Sequence, residues 1–180
     1  MPFKHKIIIF VLSLVVLAVV YYAWTTLGSR SVVKEETKEI FATTGDEAVF
    51  VDKSGQSVSF DKYFGQIMVV TTWASWSPST KVELEKFQAL ASDFANQPVV
   101  FIALGRDQDR TQAQRFLDSI PDLPAVEVII DQADQFNAKV EGFAMPETVL
   151  FDKNGDIILR LYGDNKQAEI SQKLDELFAR

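Results

Sequence analysis

The 180-residue chain contains no cysteine, and its single histidine is His5. Without a thiol it has no disulfides, no thiolate nucleophile, no iron–sulfur cluster and no thiolate zinc site. With the only imidazole in the N-terminal tail, the rest of the chain holds neither a histidine-assisted nucleophile nor a histidine-ligated metal. Repeats and low-complexity tracts are absent as well. The first 30 positions lack acidic residues and hold Lys4, Lys6 and Arg30, so 15 basic residues share the remainder with all 25 acidic ones, a formal charge of −10 there. Phosphate recognition needs clustered Lys and Arg, so no nucleic acid is expected as a partner. Such acidity describes a solvated, self-repelling surface.

What the chain does have is apolar content, 47% hydrophobic and 12% aromatic, enough for a real core. Its length accommodates one domain and an appendage. Ile7 to Trp24 is a run of 18 uncharged residues in which only Ser13 is strongly polar. As a helix it covers about 27 Å, close to the roughly 30 Å hydrocarbon core of a bilayer. Tyr21, Tyr22 and Trp24 cluster at one end, where amphipathic rings settle at a membrane interface. A cleaved signal peptide is the rival reading, but it calls for a shorter apolar region followed by small residues, and aromatics stand there instead. A retained anchor is expected over residues 1–28, with the short basic tail in the cytoplasm and the domain outside. Because Arg30, Lys34 and Lys38 follow the other end, charge asymmetry alone favours that orientation only weakly.

Residues 29–44 are polar and aperiodic, a linker ahead of a domain at 45–180. Ala48–Val51 and Ser57–Phe60 flank Asp52-Lys53-Ser54-Gly55 as a hairpin. Ile67–Trp73 is a continuous apolar and β-branched run suited to a doubly buried strand. Leu84, Phe87, Leu90, Ala91 and Phe94 fall at helical spacing between Pro78 and Asn96. Val99–Leu104 and Val126–Ile130 are further central strands, separated by a helix at Gln112–Ser119 entered through Asp109 and Thr111. One or two helical turns follow at Ala133–Lys139. A second hairpin joins Thr148–Phe151 to Ile157–Tyr162, and Asp164 with Gln167 forms a capping-box-like start for the last helix. The pattern is α/β, a central mixed sheet flanked by helices.

Trp73-Ala74-Ser75-Trp76-Ser77-Pro78-Ser79-Thr80 stands where a buried strand meets a long helix. It resembles the W-A-x-W-C-P-x-C segment of the thioredoxin superfamily, in particular the membrane-anchored TlpA/ResA type that performs thiol–disulfide exchange outside the membrane. Gly65–Val70 before the motif and Gly142-Phe143-Ala144-Met145-Pro146-Glu147-Thr148 later are similar to that family too. The resemblance covers roughly residues 40–180 and implies a thioredoxin-like fold with Pro146 in a cis peptide bond. It also places the two family cysteines at Ser77 and Thr80, and thioredoxin's buried carboxylate at Thr71.

Thiol–disulfide exchange needs a sulfur that ionises near neutral pH and forms a mixed disulfide. A hydroxyl does neither, so no catalytic residue is assigned. Activity as a thiol–disulfide oxidoreductase would require sulfur supplied by a partner. Ser77 as a nucleophile with Lys81 as base lacks a means of desolvating the lysine. Serine followed by proline is a favoured helix start, so Ser77 is expected as an N-cap with Pro78 at the first helical position. Asp107, Asp109, Asp131 and Asp134 could suggest a divalent cation, yet acids before helices are commonly caps, and neither a metal nor a cofactor is expected. Trp73 is expected in the core. In the family, backbone before the cis-proline pairs with an extended substrate chain, so the resemblance makes Trp76, Pro78, Met145 and Pro146 candidates for holding a protein or peptide. The expectation is a membrane-tethered, non-catalytic binding or assembly module. A structural subunit that uses its outer helices is the blander alternative.

Overall fold

The computed structural model describes residues 50–179, with Val16 alone before them. The chain divides into two units, Met1–Glu36 and Thr37–Arg180, and the described domain lies in the second. Apart from Val16, the expected anchor at 7–24 lies outside the described residues, as does the linker at 29–44. Among those that are described, no helix is long and apolar enough to cross a membrane.

Six strands form one mixed sheet: β1 Phe50–Asp52, β2 Ile67–Trp73, β3 Val99–Gly105, β4 Glu127–Asp131, β5 Glu147–Phe151 and β6 Ile157–Tyr162, in the order β1-β4-β3-β2-β5-β6. The helices are α1 Thr80–Asp93, α2 Arg110–Leu117, α3 Gln135–Lys139 and α4 Gln167–Phe178, with a 3-10 turn at Phe60–Tyr63. Strand β2 runs parallel to β3, and β3 runs parallel to β4, as their helical crossovers require. Strand β5 returns antiparallel on the other side of β2, and β6 closes the hairpin.

All seven residues of β2 are buried, which accounts for the unbroken apolar and β-branched run. Its alternate side chains feed two cores. Ile67, Val69 and Trp73 meet Leu84, Phe87 and Leu90 of α1, Leu117 of α2 and Leu174 of α4. Met68 and Val70 meet Phe60 and Tyr63 of the 3-10 turn and Phe136 of α3. Each large apolar side chain of α1 buried in this way contributes about 1.5–3 kcal/mol relative to exposure.

Three local expectations are corrected. The first hairpin is reduced to a single bridge between Val51 and Ser57. Phe60, expected in its second arm, instead opens the 3-10 turn, and β1 pairs antiparallel with β4. Burial decides this, because both Phe50 and Phe60 enter the same core with rings 4.8 Å apart. The last helix begins after Lys166 with no side-chain cap, so Asp164 does not act as one. The long helix starts at Thr80 and not at Pro78. Its cap position is Ser79, which makes no side-chain cap bond, so Ser77 is not the N-cap.

Candidate functional site

The motif loop leaves the carboxyl end of β2 and is fixed from within. Ser77 N–H donates to the Ala74 carbonyl at 3.1 Å, and Thr80 N–H donates to the Ser77 carbonyl at 3.2 Å. These turn bonds occupy the segment expected as the first helical turn. The Thr80 hydroxyl, 4% exposed as a residue, also donates to the Ala74 carbonyl, at 2.8 Å. Ser75 anchors the loop outward: its N–H and hydroxyl donate to Asp107 Oδ2 and Oδ1 at 2.8 and 2.5 Å. Asp107 follows β3, so this pair ties the motif to the neighbouring strand.

Beneath the loop Trp73 is in the core as expected, 2% exposed and stacked on Phe116 with ring centroids 5.4 Å apart. Thr71 does what a paired hydroxyl can do: it shares a hydrogen bond with the Thr148 hydroxyl at 2.9 Å, buried across β2 and β5. Thr72, on the opposite face, accepts from Glu147 N–H at 2.9 Å and donates to the Glu147 carbonyl at 3.2 Å. These bonds bring the second motif to the first, and the Met145–Pro146 peptide bond is cis. Pro146 and Thr80 line one small cavity of about 10 Å³ together with Thr71, Thr72 and Glu83.

Each motif also carries one large, exposed apolar side chain. Trp76 is 64% exposed and Phe143 78% exposed. The Phe143 ring lies 4.5 Å from that of Tyr162, the residue paired with Glu147 across the hairpin. Pro78 is exposed, whereas Ser77 and Met145 are half-buried. A larger cleft of about 340 Å³ lies at the other end of the sheet, between Val99–Phe101 and Pro124–Glu127, away from both motifs.

Glu83, Phe143 and Glu147 were not singled out from the sequence, although Phe143 and Glu147 belong to the quoted proline-loop segment and Glu83 lies three residues past Thr80. Burial acts to raise the Glu83 carboxyl, but the Lys86 ammonium at 2.8 Å, the Asn165 N–H and the Gln167 amide outweigh it and hold it below its usual value. Lys81 is exposed, so nothing removes the water that a Ser77–Lys81 pair would have to lose. The four aspartates raised as cation ligands are each otherwise engaged. Asp107 holds Ser75, Asp109 caps α2 through Thr111 N–H, Asp131 accepts from Phe136 N–H, and Asp134 pairs with Arg106. Among the described residues no cluster of three acidic or imidazole side chains is placed to hold a metal ion.

Comparison with known proteins gives the same assignment. The Redoxin family profile matches residues 41–177. The chain is 22% identical over 143 residues to a thiol-disulfide oxidoreductase ResA from Geobacillus kaustophilus, covering 79% of this chain and 81% of that protein. It is 26% identical over 147 residues to a thiol:disulfide interchange protein DsbE from Yersinia pestis, covering 82% and 69%. Among solved structures, a DsbE-type protein from Chlorobium tepidum superposes with a TM-score of 0.62 at 21% identity, covering 76% of this chain and 97% of that one. An exposed lipoprotein thioredoxin from Streptococcus pneumoniae gives 0.63 at 17%, covering 71% and 96%. Ser77 and Thr80 take the two positions that the motif reserves for sulfur, in a thioredoxin-like fold. The chain belongs to the Redoxin family, as a thioredoxin-superfamily protein of the TlpA/ResA type that has no cysteine.

Proposed function

We propose that the protein is a non-redox binding or assembly module, a thioredoxin fold tethered at the outer face of a membrane, that holds a protein or extended peptide beside the cis-proline loop. The observation that carries this reading is the exposure of Trp76 in the first motif and Phe143 in the second, 64% and 78%, while the hydroxyls of Thr71, Thr72 and Thr80 are bonded within the fold. Large apolar side chains left in water beside an ordered loop favour a protein partner over an isolated surface. Met145, before the cis bond, offers backbone for an added strand. The anchor rests on the 7–24 run, and the outward orientation on the short basic tail that precedes it.

The test is photo-crosslinking in intact membranes from a probe at position 76 or 145. A discrete adduct that Trp76→Ala and Met145→Ala weaken severalfold is expected, and an unchanged adduct pattern rejects the reading. Insulin reduction by the purified chain is expected to stay at background. Appreciable turnover would instead favour exchange chemistry of the kind for which the ResA and DsbE relatives are named.

A further inference from the structure

Directly after Pro146, on the sheet face opposite α1, Glu147 is 1% exposed, and neither of its carboxyl oxygens has a hydrogen-bond partner among the described residues. Arg160 Nη1 lies 3.2 Å from Oε1, outside hydrogen-bond alignment, while it donates to the Val140 carbonyl at 2.6 Å. The other oxygen, Oε2, and Asn137 Oδ1 from α3 both border the space beside Gly142: a side-chain carbon on Gly142 would collide with both. Asn137 Oδ1 is buried and unpartnered too. Two acceptors therefore border the same glycine with no donor between them, an arrangement that costs the desolvation of both groups unless a proton is added.

The amide of Asn137 shows where that proton belongs. Its nitrogen is turned toward Asp134 Oδ2 at 3.5 Å, and Asp134 is gripped by Arg106 through Nε and Nη2, each at 2.6 Å. An amide set between two carboxyl groups donates to one of them, and the group that meets its oxygen must bring a hydrogen of its own. Turning the amide over exchanges the two roles without removing the requirement. Asp134 already has its charge matched by a bidentate guanidinium, the stronger kind of pairing. The hydrogen belongs on Glu147.

We infer that Glu147 carries a proton in the folded domain, donates it from Oε2 to Asn137 Oδ1, and so staples β5 to α3 across the loop that ends in Met145 and Pro146. Burial pushes this carboxyl above its usual value against the pull of Arg160 and Arg106, which agrees with the geometry. The charged groups that face it are Arg160 from β6, Arg106 after β3 and, through Asn137, Asp134 ahead of α3. Asp131, at the foot of α3, accepts from Phe136 N–H. Lys139 and Glu141 are exposed, and β2 presents only the uncharged Thr72 hydroxyl. When the proton leaves, Oε2 and Oδ1 repel each other. The loop they close is also held at its ends, by Val140 N–H on the Phe136 carbonyl, Gly142 N–H on the Asn137 carbonyl at 2.8 Å, Arg160 on Val140 and Gly163 N–H on the Pro146 carbonyl, and by the Phe143 ring against Tyr162. Residues 140–146 thus form a segment whose middle is adjusted by one buried proton, a pH-sensitive support for the cis-proline loop whatever binds there.

The experiment is a carboxyl carbon-13 titration of the full chain in neutral detergent micelles, with the Glu147 signal identified by its loss in Glu147→Gln. The expected midpoint lies above those of the exposed glutamates, and the backbone amides of residues 140–145 should shift with that same midpoint. In Glu147→Gln, the isostere of the neutral acid, those amides should keep their low-pH positions across the range. Asn137→Ala should lower the Glu147 midpoint. Titration of Glu147 together with the exposed glutamates overturns the inference, as does a loop that ignores its ionisation. If Glu147→Gln does not fold, site-selective labelling of the native chain and the Asn137→Ala arm decide the matter.

Discussion

The Thr80 hydroxyl and the Ala74 carbonyl, 2.8 Å apart, close the motif loop from within. The position that the family reserves for its second sulfur is occupied by a brace that spans six residues of chain. Ala74 is fully buried and its carbonyl also accepts from Ser77 N–H, so losing Thr80 weakens the turn without leaving that oxygen orphaned. Thr80→Val, which preserves shape, is expected to cost about 0.5–1.5 kcal/mol in urea denaturation. Thr80→Ser should recover most of it.

Asp107 should matter more. It is 3% exposed and receives both donors of Ser75, so Asp107→Ala strands a backbone N–H and a hydroxyl at the motif turn. A loss of about 2–3 kcal/mol is expected by chemical denaturation, with faster amide exchange at 75–77.

Gly105 faces Trp73 at the motif end of β3. A side-chain carbon there would lie 2.7 Å from Trp73 Cζ2, and the indole is pinned by its stack on Phe116. Gly105→Ala is therefore an overpacking change and is expected to destabilise by about 1–3 kcal/mol. An unchanged denaturation midpoint would mean that the indole is free to move.

Acid stability should depend on Glu83. Its carboxyl is held below its usual value of 4.5, so it binds fewer protons folded than unfolded. The associated stability is present above pH 4.5 and is lost as pH falls through the depressed folded value. Asp131 has the opposite sign. Burial raises it above 3.8 despite its bonds from Phe136 and Gln135 N–H, so its contribution is complete below that value and declines as pH rises through the raised one. Glu83→Gln is expected to flatten the acid limb of a thermal-denaturation pH profile, leaving the decline at higher pH in place.

The five strands from β2 to β6, the helices and the place of both motifs are legible because their signals are local: an unbroken apolar run for β2, a 3.6-residue apolar period for α1, turn residues between β5 and β6. The start of α1 is not. Serine before proline favours a helix start at Ser77, but the turn bonds from Ser77 and Thr80 to the strand end take the chain there first. Phe60 was placed in a strand because nothing local says that Phe50 will draw it into a 3-10 turn. Glu147 lies inside the proline-loop resemblance, but nothing local marks it as buried, since a glutamate opening a strand ordinarily faces water.

Sequence alone determined that this chain brings no thiol to its motif, because no fold can supply a sulfur that the residues lack. It also determined the layered architecture, because apolar periodicity dictates which face of each element must be hidden. Only the tertiary structure decided that Thr71 would meet Thr148 and that Glu147 would be sealed beside Asn137 and Gly142. Those partners lie far apart in the chain or on different elements, and whether a polar side chain meets water or another polar group depends on how sheet and helices close over it.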